Sequence, residues 1–574
     1  MAQCPVVPPR LNDDRPTRAE AAALTPICVL AAVVAGAYIG DLAGQSITPA
    51  RVAPVAALIA IPVCIPIWRR ARSDGPGFAA WAVTGVGMFA WLCAMAWPTL
   101  LPLGSGPDLV HHLGLIRYIE THHHLVHDPA VEHWLGEMVG YTPGCHVLIV
   151  LASQLAGTDG LRAAHPLVAS AVALKIGLVV LIALRAARSG GWSRIAAGAA
   201  AAVLLLMPRV YVIGSFTHDS YFAQVVAETF AVAGWWALVA WDARPSKAVL
   251  AVFALCGAAT FLTWPIWIGP LLLTFAVLVA VRPGLRVAER AIALALGAGP
   301  VAVVAAAYLV GRFAWTGIVK TSGAVQVPSP ASIGWTLTIL AAAGLVLAGR
   351  ERRVRATTAA LGAIALQAGA LYLVAKSNGA DTPYMAYKMA YLAVYPLAVL
   401  AALAIDALAG LAAVRASRMR WSHEPWLAPV IGATAVVCLA VLAVRSHQSA
   451  RAPRPAVSLG MQQAAQWLRA RRTADCVDYV TRDWVSAYWL HTVELGHPRM
   501  SARTQDITDR FDPRAVVGRW ADPRGDFQFA IVEDLEQVPT DARVNMETLA
   551  RFGPAAVVRR RQAARCKDDG QPAA

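Results

Sequence analysis

The chain has 574 residues, 57% of them hydrophobic and only 15% charged, with a mean hydropathy of +0.52. A soluble domain carries about a quarter charged residues, so this composition excludes a water-soluble enzyme. The net charge of +15 would suit a nucleic-acid binder. However, the arginines lie in short blocks beside apolar runs, a pattern that orients membrane helices and forms no binding groove.

Apolar runs of about 20 residues recur, each long enough to cross about 30 Å of hydrocarbon. The period-2 alternation of barrel strands is absent. The expected fold is therefore a polytopic α-helical membrane protein. Residues 1–20, with Arg10, Arg15 and Arg18, form a polar tail on the cytoplasmic side. No small-residue cleavage site makes them a signal peptide. Spans are expected from Ala22 to Leu42, Val52 to Trp68 and Phe78 to Leu101, with the basic run 69–72 inside. The third span delivers the chain to a polar loop, 102–146, outside. Further basic blocks at 185–194, 244–247, 282–290, 350–355 and 415–420 pair the later apolar segments into hairpins. Val147–Ala156 is too short to cross comfortably and reads as a re-entrant or interfacial helix. About thirteen spans then fill 21–445 and leave residues 446–574 outside, whereas counting Val147–Ala156 as a full span gives fourteen and puts them inside.

From Arg451 onward charge rises and apolar runs shorten. VDYV at 477–480, FAIVED at 529–534 and AAVVRR at 555–560 read as strands, with helical patterns at Met461–Arg471 and Met546–Phe552. This is a small extracytoplasmic α/β domain. Cys476 and Cys566, near its two ends, are candidates for a disulfide; the nine cysteines show no zinc-site spacing.

The outer loop carries the chemistry. Asp108 follows the third span and opens an amphipathic pattern, where it can cap a helix or accept a proton from a hydroxyl. His111 and His112 share its helix face at i+3 and i+4. His122, His123, His124, His127 and His133 follow, so that with His146 the loop holds eight of the fourteen histidines. No cofactor is specified, though such a tract could take a divalent metal. The loop closes on YTPGCH, containing Tyr141 and His146. Three more outer clusters follow: Arg209, His218 and Asp219; Lys320; and Asp381, Tyr384 and Lys388. Basic groups on that side run against the positive-inside bias and suit phosphate recognition, whereas each alone could simply snorkel.

The acid in the first external loop, the YTPGCHVLIVLASQLAG segment, HDSYFAQVVAETF and FLTWPIWIGPLLL together resemble the GT-C superfamily of membrane glycosyltransferases. The layout resembles its arabinofuranosyl- and mannosyltransferase branch in actinobacterial envelopes. Thr142 stands where that superfamily has a first proline, and Leu109 follows Asp108, so no DxD metal pair is implied. The resemblance implies a polyprenyl-phosphate-linked sugar donor, an envelope glycan, lipid or protein acceptor, and Asp108 as general base. Lys388, Arg209 and Lys320 are candidate phosphate cations, and the histidines and tyrosines substrate contacts. A transporter or flippase of envelope precursors, or a non-catalytic assembly scaffold, is the other reading.

Overall fold

The computed structural model describes residues 14–104, 107–188, 191–310, 323, 325–418, 427–448, 455–471, 477–481, 484–496 and 528–561. The bundle opens with α1 (Arg18–Leu42), α2 (Pro49–Arg70) and α3 (Gly75–Ala96). Thr17 and Glu20 form a capping box at α1, Pro49 occupies the first turn of α2, and Asp74 caps α3 by accepting from Gly77 N. The polar loop contributes α4 (Pro107–His122), and the chain turns back into α5 (Gly144–Ala156). Next come α6 (Gly160–Ala186), α7 (Gly191–Leu206), α8 (Phe222–Ala243), α9 (Lys247–Thr263), α10 (Ile268–Val281) and α11 (Val287–Val310). The bundle ends with α12 (Trp335–Ala348), α13 (Arg355–Ser377), α14 (Tyr384–Arg418) and α15 (Leu427–Gln448).

Eight helices among the described residues are long and apolar enough to cross a membrane, and nine if Ser193–Leu206 and Val210–Thr217, bent by 69°, form one broken span. Lys247–Thr263, Pro265–Val281, Trp335–Ala348 and Gly432–Leu442 are shorter apolar helices, so a count of thirteen depends on these four crossing too. α6, α8 and α14 are apolar on nearly every face and form the centre, whereas α2, α3, α11 and α13 keep most of their surface outward for lipid. α5 has 13 residues, is largely buried, and ends at Gly157 in the left-handed region.

The basic blocks meet at one end of the bundle. Arg185 binds Glu20 at 3.0 Å, Arg194 binds Asp74 at 3.2 Å, and Arg282 and Arg355 converge on Asp242. Arg353 also donates to Ala187 O at 2.9 Å. The polar loop and the C-terminal domain occupy the other end together. Leu103 bridges Pro455, and Trp134 Nε1 donates to Thr492 O at 3.4 Å.

The C-terminal domain has helices α16 (Leu459–Ala470) and α17 (Trp484–Trp489) and a four-stranded sheet. Its strands are β1 (Val477–Val480), β2 (Phe529–Val532), β3 (Met546–Phe552) and β4 (Ala555–Arg560), in the order β1-β2-β4-β3. β1 and β2 run parallel, and β4 is antiparallel to both its neighbours. Three strands lie where the sequence indicates them. Met546–Phe552, expected as a helix, is instead β3. Phe552 pairs with Ala555 across Gly553–Pro554, with Gly553 at φ +67°, so the turn closes a hairpin and cross-strand bonds override a short helical pattern. The Cys476–Cys566 pair lies outside the described residues.

Candidate functional site

Two close backbone approaches hold the site together. Gly104 has φ +126°, and a Cβ there would run into Ser220 Oγ, which donates to Leu103 O at 3.1 Å. That lock sets the 218–220 turn beside the start of α4, hence Asp219 beside Asp108. At the far end of the loop, a Cβ on Gly144 would meet Thr263 Oγ1 and Leu262 O, and Thr142 Oγ1 donates to Thr263 O at 3.0 Å. The 141–144 segment is thus a turn pinned to the end of α9, and Tyr141 packs against Trp264 with ring centroids 5.8 Å apart.

Asp108 lies in the first turn of α4. Burial raises its pKa above the ordinary carboxylate value. Lys388 and His111 pull it back, while Glu137 and Asp219 add to the rise. Lys388, from the second turn of α14, is buried. Its ammonium stands 2.8 Å from the ring centroid of Tyr221, 5.0 Å from that of Tyr384 and 5.3 Å from that of Tyr391. Tyr384, Lys388 and Tyr391 share a helix face at i, i+4 and i+7. Aromatic faces stabilise a cation while leaving its hydrogen-bond donors for another ligand. Burial, then Asp108 and Tyr384, raise the Tyr141 phenol far above its usual range, so Tyr141 stays neutral.

His111 Nδ1 is 2.7 Å from Glu137 Oε1, and its ring meets the edge of Tyr488 from α17 at 5.9 Å. His112 Nδ1 and His146 Nε2 are 2.9 Å apart, both buried, tying α4 to α5. Burial, then His146, hold His112 well below the usual imidazole value, so the pair shares one proton between neutral rings. His218 is exposed and bonds Asp219 at 2.7 Å.

Two further histidines of the loop act as latches. His122 Nδ1 bonds Tyr118 O at 2.9 Å, and His127 Nε2 lies 2.9 Å from the buried carboxylate of Asp41, which also accepts from Leu125 N. Among the described residues, no group of three or more histidine, cysteine, aspartate or glutamate side chains could hold a metal ion.

Asp108, His111, His112, Tyr141, His146, Asp219, Tyr384 and Lys388 are thus brought together. Arg209 opens a π-helical turn, and Asp381 is exposed, its carbonyl accepting from Lys376 Nζ at 2.6 Å. Lys320 lies outside the described residues. Glu137, Tyr221 and Tyr391 are the members that sequence reasoning missed. The first two sit beside recognised motifs, but nothing local marks them.

No family model matches the chain, and no curated protein matches it. Among solved structures it is similar to ArnT from Cupriavidus metallidurans bound to undecaprenyl phosphate, at 16% identity and TM-score 0.46, over 83% of this chain and 98% of that one. It is also similar to the Archaeoglobus fulgidus oligosaccharyltransferase in the apo form, at 13% identity and TM-score 0.47, over 79% and 69%. A third is the archaeal oligosaccharyltransferase AglB from the same organism, in complex with an inhibitory peptide and a dolichol-phosphate, at 13% identity and TM-score 0.46, over 79% and 69%. At these identities and scores the likeness assigns no residue a role.

Proposed function

We propose that this chain is an integral-membrane glycosyltransferase that moves a sugar from a polyprenyl-phosphate donor to an envelope glycan, lipid or protein acceptor on the outer face. One observation carries the reading: a raised-pKa carboxylate, Asp108, and a buried, aromatic-caged ammonium, Lys388, act on each other at one end of the bundle. Transfer to a hydroxyl needs those two groups. Asp108 takes the proton of the acceptor hydroxyl as its oxygen bonds to the anomeric carbon. The bond from that carbon to the phosphate oxygen breaks, and the phosphate leaves with Lys388 opposing its charge. A single displacement of this kind inverts the anomeric centre. The sequence motifs support the same reading, with the polar end of the bundle outside, the N-terminus inside and the C-terminal domain outside.

Asp108→Asn keeps the shape and removes the base. In vesicles supplied with a polyprenyl-phosphate sugar donor, it is expected to lower sugar transfer by at least about 100-fold, the range for losing a positioned general base. Full retained activity removes Asp108 from the mechanism. Release of polyprenyl phosphate on adding acceptor marks an enzyme; counterflow of a labelled solute without such release marks a carrier.

A further inference from the structure

The helix that carries Asp108 is gripped from two sides. Towards the membrane domain, His112 meets His146, and Glu120 accepts from Gly160 N at 2.9 Å. Away from it, α4 meets one segment of the C-terminal domain, Trp484–Glu494. Tyr488 packs on His111 and Glu494 Oε2 lies 3.7 Å from Arg117 Nη2, while Thr492 O accepts from Trp134 in the loop after α4. We infer that the C-terminal domain is a positioning element for the site, holding the Asp108 helix through the contact of Glu494 with Arg117. The catalytic part of this inference rests on the transferase reading above.

Glu494 is an unusual group to bury for structure alone. Its side chain is fully buried, and neither carboxylate oxygen has a partner at hydrogen-bond geometry. Neighbouring Gln462, on α16, is buried beside it, and its amide favours the ionised carboxylate without reaching full hydrogen-bond geometry. A buried carboxylate lacking hydrogen bonds is costly unless a cation stands against it. Arg117 supplies the nearest guanidinium, and Arg469 meets only the Glu494 carbonyl, at 3.5 Å. The interface is therefore conditional on where α4 puts Arg117. Arg117 lies nine residues past Asp108, about 13 Å along the same helix. A loosened grip there tilts the helix and shifts Asp108, and small misplacements of reacting groups cost large factors in rate.

Burial pushes Glu494 up to about 7, against the pull of Arg117, Gln462 and Arg469 and with Asp159 adding to the rise. The docked value lies above the ordinary 4.5, so the docked state binds the extra proton. The cost of the ionised group is absent below about pH 4.5, grows between there and pH 7, and is complete above. The grip weakens as pH rises through that window.

The test uses the full chain in lipid nanodiscs at pH 8, comparing wild type, Arg117→Gln, Glu494→Gln and the double variant. Hydrogen exchange of the α4 amides and steady-state transfer are read together, with thermal unfolding as the check on the fold. Arg117→Gln strands the buried carboxylate. It is expected to speed exchange across Val110–Ile119 by about tenfold and to lower kcat while leaving the donor KM unchanged. Glu494→Gln, uncharged as Glu494 is below its raised value, is expected to protect the α4 amides more than wild type does at pH 8, and the double variant to return both readouts to within about threefold of wild type. Wild-type exchange in Arg117→Gln, or a double variant no better than Arg117→Gln, overturns the grip. Altered exchange with unaltered kcat overturns the positioning role. Exchange that follows the pattern in a protein that transfers no sugar, wild type included, overturns the transferase reading and leaves the docking standing.

Discussion

With Asp108 as the proposed general base, two requirements meet there. A base must be ionised to accept a proton, yet burial beside Glu137 and Asp219 favours its neutral form. The opposing charge of Lys388 keeps the ionised form accessible, and the raised pKa makes it a better proton acceptor near neutral pH. The sign follows directly. As pH falls through the raised value the base is lost, so kcat/KM is expected to drop on an acid limb lying above 3.8, the ordinary aspartate value. The limb is read from transfer rates in vesicles buffered between pH 4 and 8; a rate constant down to pH 4 contradicts the assignment. Lys388 is the complementary case. Three tyrosine rings hold the cation without a carboxylate at ion-pair distance among the described residues, which leaves its donors available to the phosphate of the proposed donor.

The elements that deliver these groups are braced inside the bundle. Lys175 on α6 and Glu228 on α8 are fully buried and paired, and Tyr395 on α14 donates to the same Glu228 oxygen at 2.5 Å. Tyr395 lies two turns below Lys388, so this cluster fixes the height and rotation of α14. Breaking such a pair leaves an uncompensated buried charge, costing about 3–5 kcal/mol, whereas replacing both partners is close to neutral. Lys175→Met alone is therefore expected to lower the unfolding temperature sharply in detergent. The double variant Lys175→Met with Glu228→Gln should recover most of the loss. A double variant as unstable as the single one would contradict the bracing role.

At the scale of the molecule, the paired carboxylates and arginines gather at one end, and the polar loop, the Asp108–Lys388 group and the C-terminal sheet at the other. The two ends should face opposite compartments. In a background without reactive cysteines, Ala130→Cys and Thr540→Cys are expected to react together with an impermeant maleimide added outside intact cells. Lys247→Cys should react only after permeabilisation. Labelling of Ala130 and Thr540 from opposite sides would overturn the shared face. The site is thus walled on one side by a domain that touches the helix carrying Asp108.

Local properties were legible in the sequence. Apolar runs announce spans because burying backbone in lipid demands helices. Basic blocks announce one end, an acid after the third span announces Asp108, and YTPG announces a turn. Each of these signals sits within a few residues of its own effect. The tertiary structure alone decided what lies far apart in the chain and close in space. Met546–Phe552 became a strand because β4 was there to pair with it, since short segments take their conformation from their partners. Glu137, Tyr221 and Tyr391 joined the site because helix packing sets which outer-face groups converge. Lys175 reads as one lysine in an apolar run until Glu228, 53 residues later, is seen to neutralise it. Hydropathy sums over neighbours in sequence, whereas a cage, an ion pair or a domain contact depends on distances that only the folded bundle sets.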